Sequence, residues 1–337
     1  MSSVLGTADR TARVYVAGHR GLVGGAVHRA LQRHGFSNVI VRTHAELDLE
    51  RTQDTRDFML RERPDVVFLA AAKVGGILAN DSYPADFLMR NLVIEANVVQ
   101  AAHDAGVRRL IFLGSSCIYP RDCPQPIRED YLLTGPLEST NRPYALAKIA
   151  GVEMCWSFNR QHATRYVAAM PTNLYGPGDN YDLATSHVLP ALIRKVHDAV
   201  QGGRDEVVLW GSGTPRREFL YSDDLAEGLL HLAFLDEVRF ARLTDPAVCP
   251  LINVGAGTDV TIAELATLIG EVIGFRGRFD YDRSKPDGTP RKLLDVSRMT
   301  ELGWTPRVSL REGIARAYED FRAHIAGGVR EDAPQTA

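Results

Sequence analysis

The chain has 337 residues, 45% of them hydrophobic and 24% charged, enough for a full core and more than one lobe of an ordinary globular protein. A net charge of −3 excludes a generalised nucleic-acid binder, so an anionic ligand would need a local basic pocket. No run approaches the roughly 18 apolar residues of a membrane span, and Met1 to Arg10 lacks an apolar signal core, so the expectation is no membrane partner and a cytoplasmic location.

Val14-Tyr-Val-Ala17 reads as a short apolar strand, followed at once by Gly18-His19-Arg20-Gly21-Leu22-Val23-Gly24. Helical apolar spacing then runs from Leu22 to His34, with Gly35 as the stop. Strand, glycine turn and helix in that order are the context a dinucleotide fingerprint requires. Gly18 allows the tight turn, Gly21 lets backbone approach a pyrophosphate, and Gly24 lets the helix pack on the sheet. The helix N-terminus faces the phosphates. The second strand, Asn38 to Arg42, ends in arginine. An NAD site usually has an acid there for the ribose 2′-hydroxyl, whereas a basic residue suits a 2′-phosphate. Arg42, helped by Arg20 and by His44 as a weaker donor, therefore favours NADP(H); two solvated arginines are the alternative.

Thr52 to Arg63 reads as a helix stopped by Pro64, Val66 to Ala72 as a third buried strand, and Lys73-Val-Gly-Gly-Ile77 as a loop over a cofactor. Pro84 to Ala105 is a long helix with apolar residues on more than one face, which wants a second surface. A homodimer interface and an internal core both satisfy it. Leu110 to Gly114 is the fourth strand, ending where Ser115, Ser116 and Cys117 follow. Pro143 then opens a helix running to about Gln161. Tyr144 and Lys148 lie four apart on one face of it. An ammonium beneath the phenol favours phenolate, lowering the tyrosine from its reference pKa of about 10. With the Ser115 hydroxyl on the same oxygen, the trio exchanges a proton at a carbonyl oxygen while hydride moves at its carbon. Tyr166 to Met170 is a fifth strand, and Pro171-Thr172-Asn173-Leu174 begins a loop at the sheet's carboxyl edge, where ligands bind in such folds. The alternation means parallel strands in a Rossmann-type, doubly wound α/β sheet.

Beyond Asp179 the pattern is less regular. Helices are expected at 186–200, 223–234, 261–273 and 310–324, a strand at Val207 to Trp210, and a rigid basic loop at Lys285 to Lys292. Lys195, Trp210, Arg217, Arg291 and Lys292 suit a lobe that grips a pyrophosphate and stacks a base or sugar. The organisation read here is an NADP-binding domain over 12–178, to which later segments such as 210–235 can return. A smaller, mainly substrate-binding lobe follows over 179–325, then a frayed tail over 326–337. Cys117, Cys123, Cys155 and Cys249 form no CxxC pair and no zinc spacing, so free thiols and no metal are expected.

The glycine loop, Ser115 after the fourth strand and the Tyr144/Lys148 pair together resemble the extended short-chain dehydrogenase/reductase family. So do the blocks Ala70-Ala-Ala-Lys-Val-Gly-Gly76, Leu113-Gly-Ser-Ser-Cys-Ile-Tyr-Pro120, Met170-Pro-Thr-Asn-Leu-Tyr-Gly-Pro177, Trp210-Gly-Ser-Gly-Thr-Pro215 and Ser284 to Lys292, within a likeness covering roughly 12–325. Within that family they are similar to the enzymes that epimerise and reduce a GDP-linked 4-keto-6-deoxy sugar. The resemblance implies NADPH-dependent inversion at C3 and C5 followed by reduction at C4, in a cytoplasmic homodimer. It implies Ser115, Tyr144 and Lys148 as the reductase residues, with Cys117 as epimerisation base and His187 as acid. It places cofactor contacts at Leu113, Gly114, Ser115, Ser116, Lys148, Pro171, Thr172, Asn173, Leu174 and His187 besides the glycine loop. Substrate contacts fall on Lys195, Trp210, Arg217 and Asp287.

That chemistry is coherent by itself, since a C4 ketone acidifies the protons on C3 and C5. A thiol with reference pKa near 8.5, lowered by a neighbouring cation, can remove them, and an imidazole titrating near neutrality can return them from the opposite face. Without the resemblance, a cysteine just past a strand reads as a small buried hydrophobe. Rival readings are a reductase without epimerisation, opposed by Cys117 and His187, and a 4-epimerase with bound NAD, opposed by Arg20 and Arg42. A non-catalytic NADP-binding module of the same fold is opposed by the Tyr144/Lys148 pair.

Overall fold

The computed structural model describes residues 8–326 apart from Ala184 and Pro286, so the tail over 327–337 lies outside the described residues. In chain order the first elements are β1 (Val14–Ala17), α1 (Leu22–Arg33), β2 (Val39–Ile40), α2 (Thr52–Glu62) and β3 (Val66–Leu69). Next come α3 (Ile77–Ser82), α4 (Pro84–Asp104), β4 (Arg109–Leu113), α5 (Arg142–His162) and β5 (Tyr166–Pro171). The chain continues through β6 (Asn173–Tyr175), α6 (Val188–Gln201), β7 (Glu206–Trp210), β8 (Arg216–Tyr221), α7 (Ser222–Ala233) and α8 (Glu237–Leu243). It ends with β9 (Leu251–Val254), β10 (Asp259–Thr261), α9 (Ile262–Ile273), β11 (Arg278–Asp282), β12 (Arg291–Lys292), α10 (Ser297–Glu301) and α11 (Leu310–Ala326).

The apolar runs of β1, β3, β4 and β5 are buried on both sides and form the centre of a six-stranded parallel sheet of order β2-β1-β3-β4-β5-β9. Both faces are covered, as a parallel sheet requires. Leu225, Leu229 and Leu232 of α7 join Val27 and Leu31 of α1 on one face, while Phe58 of α2, Val98 and Val99 of α4 and Val152 of α5 fill the other. The strand order reverses between β1 and β3, the switch point outside which ligands bind in such sheets.

Several boundaries differ from the sequence reading. The second strand, expected over 38–42, is a two-residue edge strand that pairs only through Val39 and Ile40. The third stops at Leu69, not Ala72, because its partner in β1 runs out at Ala17, where the chain turns at Gly18. Helix α3 begins at Ile77, where a loop was expected. Beyond residue 179 the chain contributes to both lobes. Helix α7 lies on α1, tied by the Arg29–Asp223 ion pair at 2.7 Å, and β9 extends the first sheet beside β5. The terminal helix runs through Ala326.

The second lobe has its own core, with Leu192, Ile193 and Val196 of α6 packed among Leu265 and Ile269 of α9 and Ile314 of α11. Strand β8 joins the lobes, pairing with β6, which continues β5 almost directly, and with β10 and β12 on its other stretch. No helix among the described residues is long and apolar enough to cross a membrane.

Candidate active site

The glycine loop forms a cradle that side chains would fill. Gly18 has φ +84°, and a Cβ there would come 2.8 Å from the Ala71 backbone nitrogen. A Cβ on Gly24 would sit 2.1 Å from the Gly18 carbonyl oxygen. Gly21 caps α1 without any side-chain cap, so the amides of the first turn, at Leu22, Val23 and Gly24, are left for an anion. The residues present therefore fit a dinucleotide pyrophosphate. His19 is half-buried beside this turn, its Nδ1 without a hydrogen-bond partner and its ring 6.1 Å from that of His28.

The two arginines differ. Arg20 is exposed at the lip of the loop. The Arg42 guanidinium pairs with Glu62 at 3.0 Å, donates to the Val41 carbonyl at 2.7 Å and lies over the Phe58 ring. Arg42 must exchange Glu62 for a phosphate before it can act on one. His44 is exposed, 3.8 Å from Asp48.

Strand β4 ends at Leu113, and the Gly114 amide still donates to the Ala169 carbonyl at 3.0 Å. Ser115 caps a single 3-10 turn over Ser116–Ile118, its hydroxyl accepting from the Cys117 amide at 3.4 Å. Tyr144 stands in the first turn of α5, and Lys148 one turn later. The Lys148 ammonium donates to the Leu113 carbonyl at 3.0 Å, 5.7 Å from the Tyr144 ring centroid. Ser115, Cys117, Tyr144 and Lys148 thus converge at the end of β4.

The electrostatics reverse one expectation. The Tyr144 phenol is not lowered by Lys148; burial pushes it well above 10.0, and the nearby charges of Cys117 and Glu95 add to this. The ammonium itself is paired: Glu95 on α4 stands 3.0 Å from Lys148 Nζ, with the two side chains 1% and 2% exposed. Tyr144 therefore keeps its proton. Burial likewise raises the Cys117 thiol above its ordinary value, with Lys292, a hydrogen bond from Ser115 and Lys148 pulling the other way. The expected lowering of the thiol is not met in the ligand-free protein.

His187 is the N-cap of α6, accessible yet in a recess where desolvation lowers its imidazole below 6.5. The segment leading to it borders the loop after β3, since a Cβ on Gly76 would meet the Thr185 carbonyl at 3.2 Å. At the end of β5, Thr172 and Asn173 both donate to the Glu218 carbonyl, at 3.2 and 2.8 Å, which fixes Pro171 and Leu174 beside β8.

In the second lobe Trp210 is 59% exposed, with the ammoniums of Lys195 and Lys285 at 5.4 and 5.6 Å from its ring. Arg217 is half-buried and donates to the Thr289 carbonyl at 2.6 Å. Asp287 is held by the Ser212 hydroxyl at 2.7 Å and amide at 2.9 Å, which keep its carboxyl below the usual range. Arg291, read as part of the gripping surface, is taken by Asp259.

Three residues near these groups escape the sequence reading: Glu95, Lys285 as a partner of Trp210, and Lys292 as the cation beside Cys117. Only Glu95 leaves a local signal, a charge on the buried stripe of α4 at Asn91, Glu95 and Val99.

Residues 14–239 match the NAD dependent epimerase/dehydratase family. GDP-L-fucose synthase 1 of Arabidopsis thaliana is 53% identical over 96% of this chain and 97% of that protein. The GDP-L-fucose synthase of Escherichia coli (strain K12) is 52% identical over 92% of this chain and 96% of its own. Among solved structures, a GDP-mannoheptose C4 reductase from Campylobacter jejuni with NADP bound superposes with a TM-score of 0.85 at 35% identity, covering 93% of this chain and 99% of that one.

Proposed function

The chain belongs to the NAD dependent epimerase/dehydratase family, and from that premise we propose that it converts GDP-4-keto-6-deoxy-mannose to GDP-L-fucose with NADPH. The observation that carries this reading is the meeting of Cys117 with Tyr144. Tyr144 lies in the field of Cys117, and both stand at the end of β4, so a base for epimerisation and an acid for reduction can serve one substrate.

The backbone of Gly18 to Gly24 would hold the pyrophosphate, Arg20 the 2′-phosphate, and Lys148 the nicotinamide ribose. When bound, NADPH supplies the hydride that reduces C4. Everything else falls to side chains of this protein. The Cys117 thiolate removes a proton from a carbon beside the ketone, and the electron pair moves to O4, where the Ser115 and Tyr144 hydroxyls donate. His187, in its protonated form, returns a proton from the opposite face, which inverts the centre. Once Cys117 has released its proton to solvent and His187 has taken one up, the exchange repeats at the second carbon. In the last step O4 gains negative charge as C4 is reduced, and Tyr144 gives it a proton. A phenol held above its ordinary value suits a donor. Lys195, Trp210, Arg217 and Lys285 supply charge and a stacking face for the GDP moiety, and Asp287 orients the Ser212 loop beside them.

The second surface that α4 wants is partly α5, with which it packs inside the protein. Met89 on α4 and Leu146 on α5 remain 56% and 40% exposed, and we place a homodimer contact on these two helices. Four free cysteines suit a reducing cytoplasm. Incubation with GDP-4-keto-6-deoxy-mannose and NADPH, followed by identification of the sugar, tests the reading. GDP-L-fucose is the expected product; an un-epimerised 6-deoxy sugar or no oxidation of NADPH would overturn it.

A further inference from the structure

We propose that Glu95 is a positioning residue for the reduction step: its core carboxylate is the counter-ion that holds Lys148 as an ammonium beneath Tyr144. The inference rests on the role given above to Ser115, Tyr144 and Lys148. Glu95 lies on α4 and Lys148 on α5, 3.0 Å apart, and neither is more than 2% exposed. Neither Glu95 oxygen has an aligned hydrogen bond among the described residues; burial raises its carboxyl above the ordinary value, and Lys148 is the group that pulls it back toward the charged form. An ammonium buried without a counter-charge sheds its proton, because a lone charge in the interior is far costlier than a neutral amine.

Among the described residues around Lys148 no other anion stands ready to replace Glu95. Strand β4 presents the Phe112 ring at 4.8 Å and the Leu113 carbonyl. The turn after β4 presents Cys117, and α5 presents Tyr144 and Cys155. Burial raises all three, so they are neutral near pH 7. The bland alternative is a staple between α4 and α5, and pH separates the two. Loss of a staple that acts only by packing weakens the protein equally at every pH, whereas loss of the counter-ion leaves a lone buried ammonium that gives up its proton more readily and makes the damage depend on pH.

Glu95→Gln keeps the shape and removes the charge. In the full-length variant the alkaline limb of kcat for C4 reduction should move down by about one unit or more. Turnover on that limb should fall by up to about tenfold and recover on acidification, while deuterium incorporation at C3 and C5 stays near wild type. Glu95→Asp should restore much of the limb. A second measurement needs no substrate, namely thermal unfolding of the ligand-free proteins. A lysine whose folded pKa is depressed binds fewer protons folded than unfolded above that pKa, so stability rises with pH there. The stability deficit of Glu95→Gln should therefore narrow in the alkaline range. A deficit that is the same at all pH values, with the kcat limb unmoved, would overturn the proposal. Failure of the wild-type protein to reduce the nucleotide sugar would instead overturn the function proposed above and leave the unfolding test standing.

Discussion

Replacing Cys117 with serine separates the two halves of the proposed reaction. The thiol is 7% exposed and is raised above 9.0 by burial in the ligand-free protein. At pH 7 the thiol is therefore mostly protonated, and proton abstraction should climb with pH through the neutral range. Serine keeps the size but offers a hydroxyl that does not ionise there. Loss of the base should slow abstraction by about two to four orders of magnitude, or about 3–5 kcal/mol of barrier. The assay runs the reaction in deuterated water with NADPH and reads deuterium at C3 and C5 of the product. Wild type should label both carbons, whereas Cys117→Ser should label neither appreciably yet still oxidise NADPH, giving an un-epimerised sugar. Lys292→Met refines the reasoning, because Lys292 is the main charge drawing the thiol down. Its removal should carry the rise in labelling to higher pH by about one unit. Labelling by Cys117→Ser at the wild-type rate, or wild-type labelling that ignores pH, would refute Cys117 as the base.

Tyr144→Phe removes the proton donor to O4, so reduction should fall by about two to four orders of magnitude while NADPH still binds; near-normal turnover would make Tyr144 structural. Arg20→Ser should weaken NADPH at least about fivefold more than NADH in kcat/KM, and an equal loss with both cofactors would remove Arg20 from the 2′-phosphate site. Glu62→Gln, which frees Arg42 from its ion pair, should sharpen the preference for NADPH, and an unchanged ratio would leave Arg42 out of cofactor selection. Gly24→Ala drives a Cβ to 2.1 Å from the Gly18 carbonyl, and fluorescence titration should show NADPH binding lost.

What the sequence by itself determines here is whatever repeats over a few residues. The Gly18 to Gly24 turn follows from its place between an apolar strand and a helix, and Tyr144 above Lys148 follows from helical spacing alone. Alternating strands and helices make the parallel sheet, and the end of β4 then brings Ser115 and Cys117 to its carboxyl edge. Tertiary structure decides who stands opposite these groups. Glu95 reaches Lys148 because α4 and α5 lie side by side on one face of the sheet. Lys292 reaches Cys117 through β12 beside β8, Glu62 takes Arg42, and Ser212 takes Asp287. The return of β9 to the first sheet carries no local mark either. The sign of the Tyr144 shift shows why. A pair four residues apart on a helix predicts a lowered phenol, but burial and the Glu95 carboxylate raise it. Desolvation and long-range charge belong to the packed interior, and no stretch of chain carries them alone.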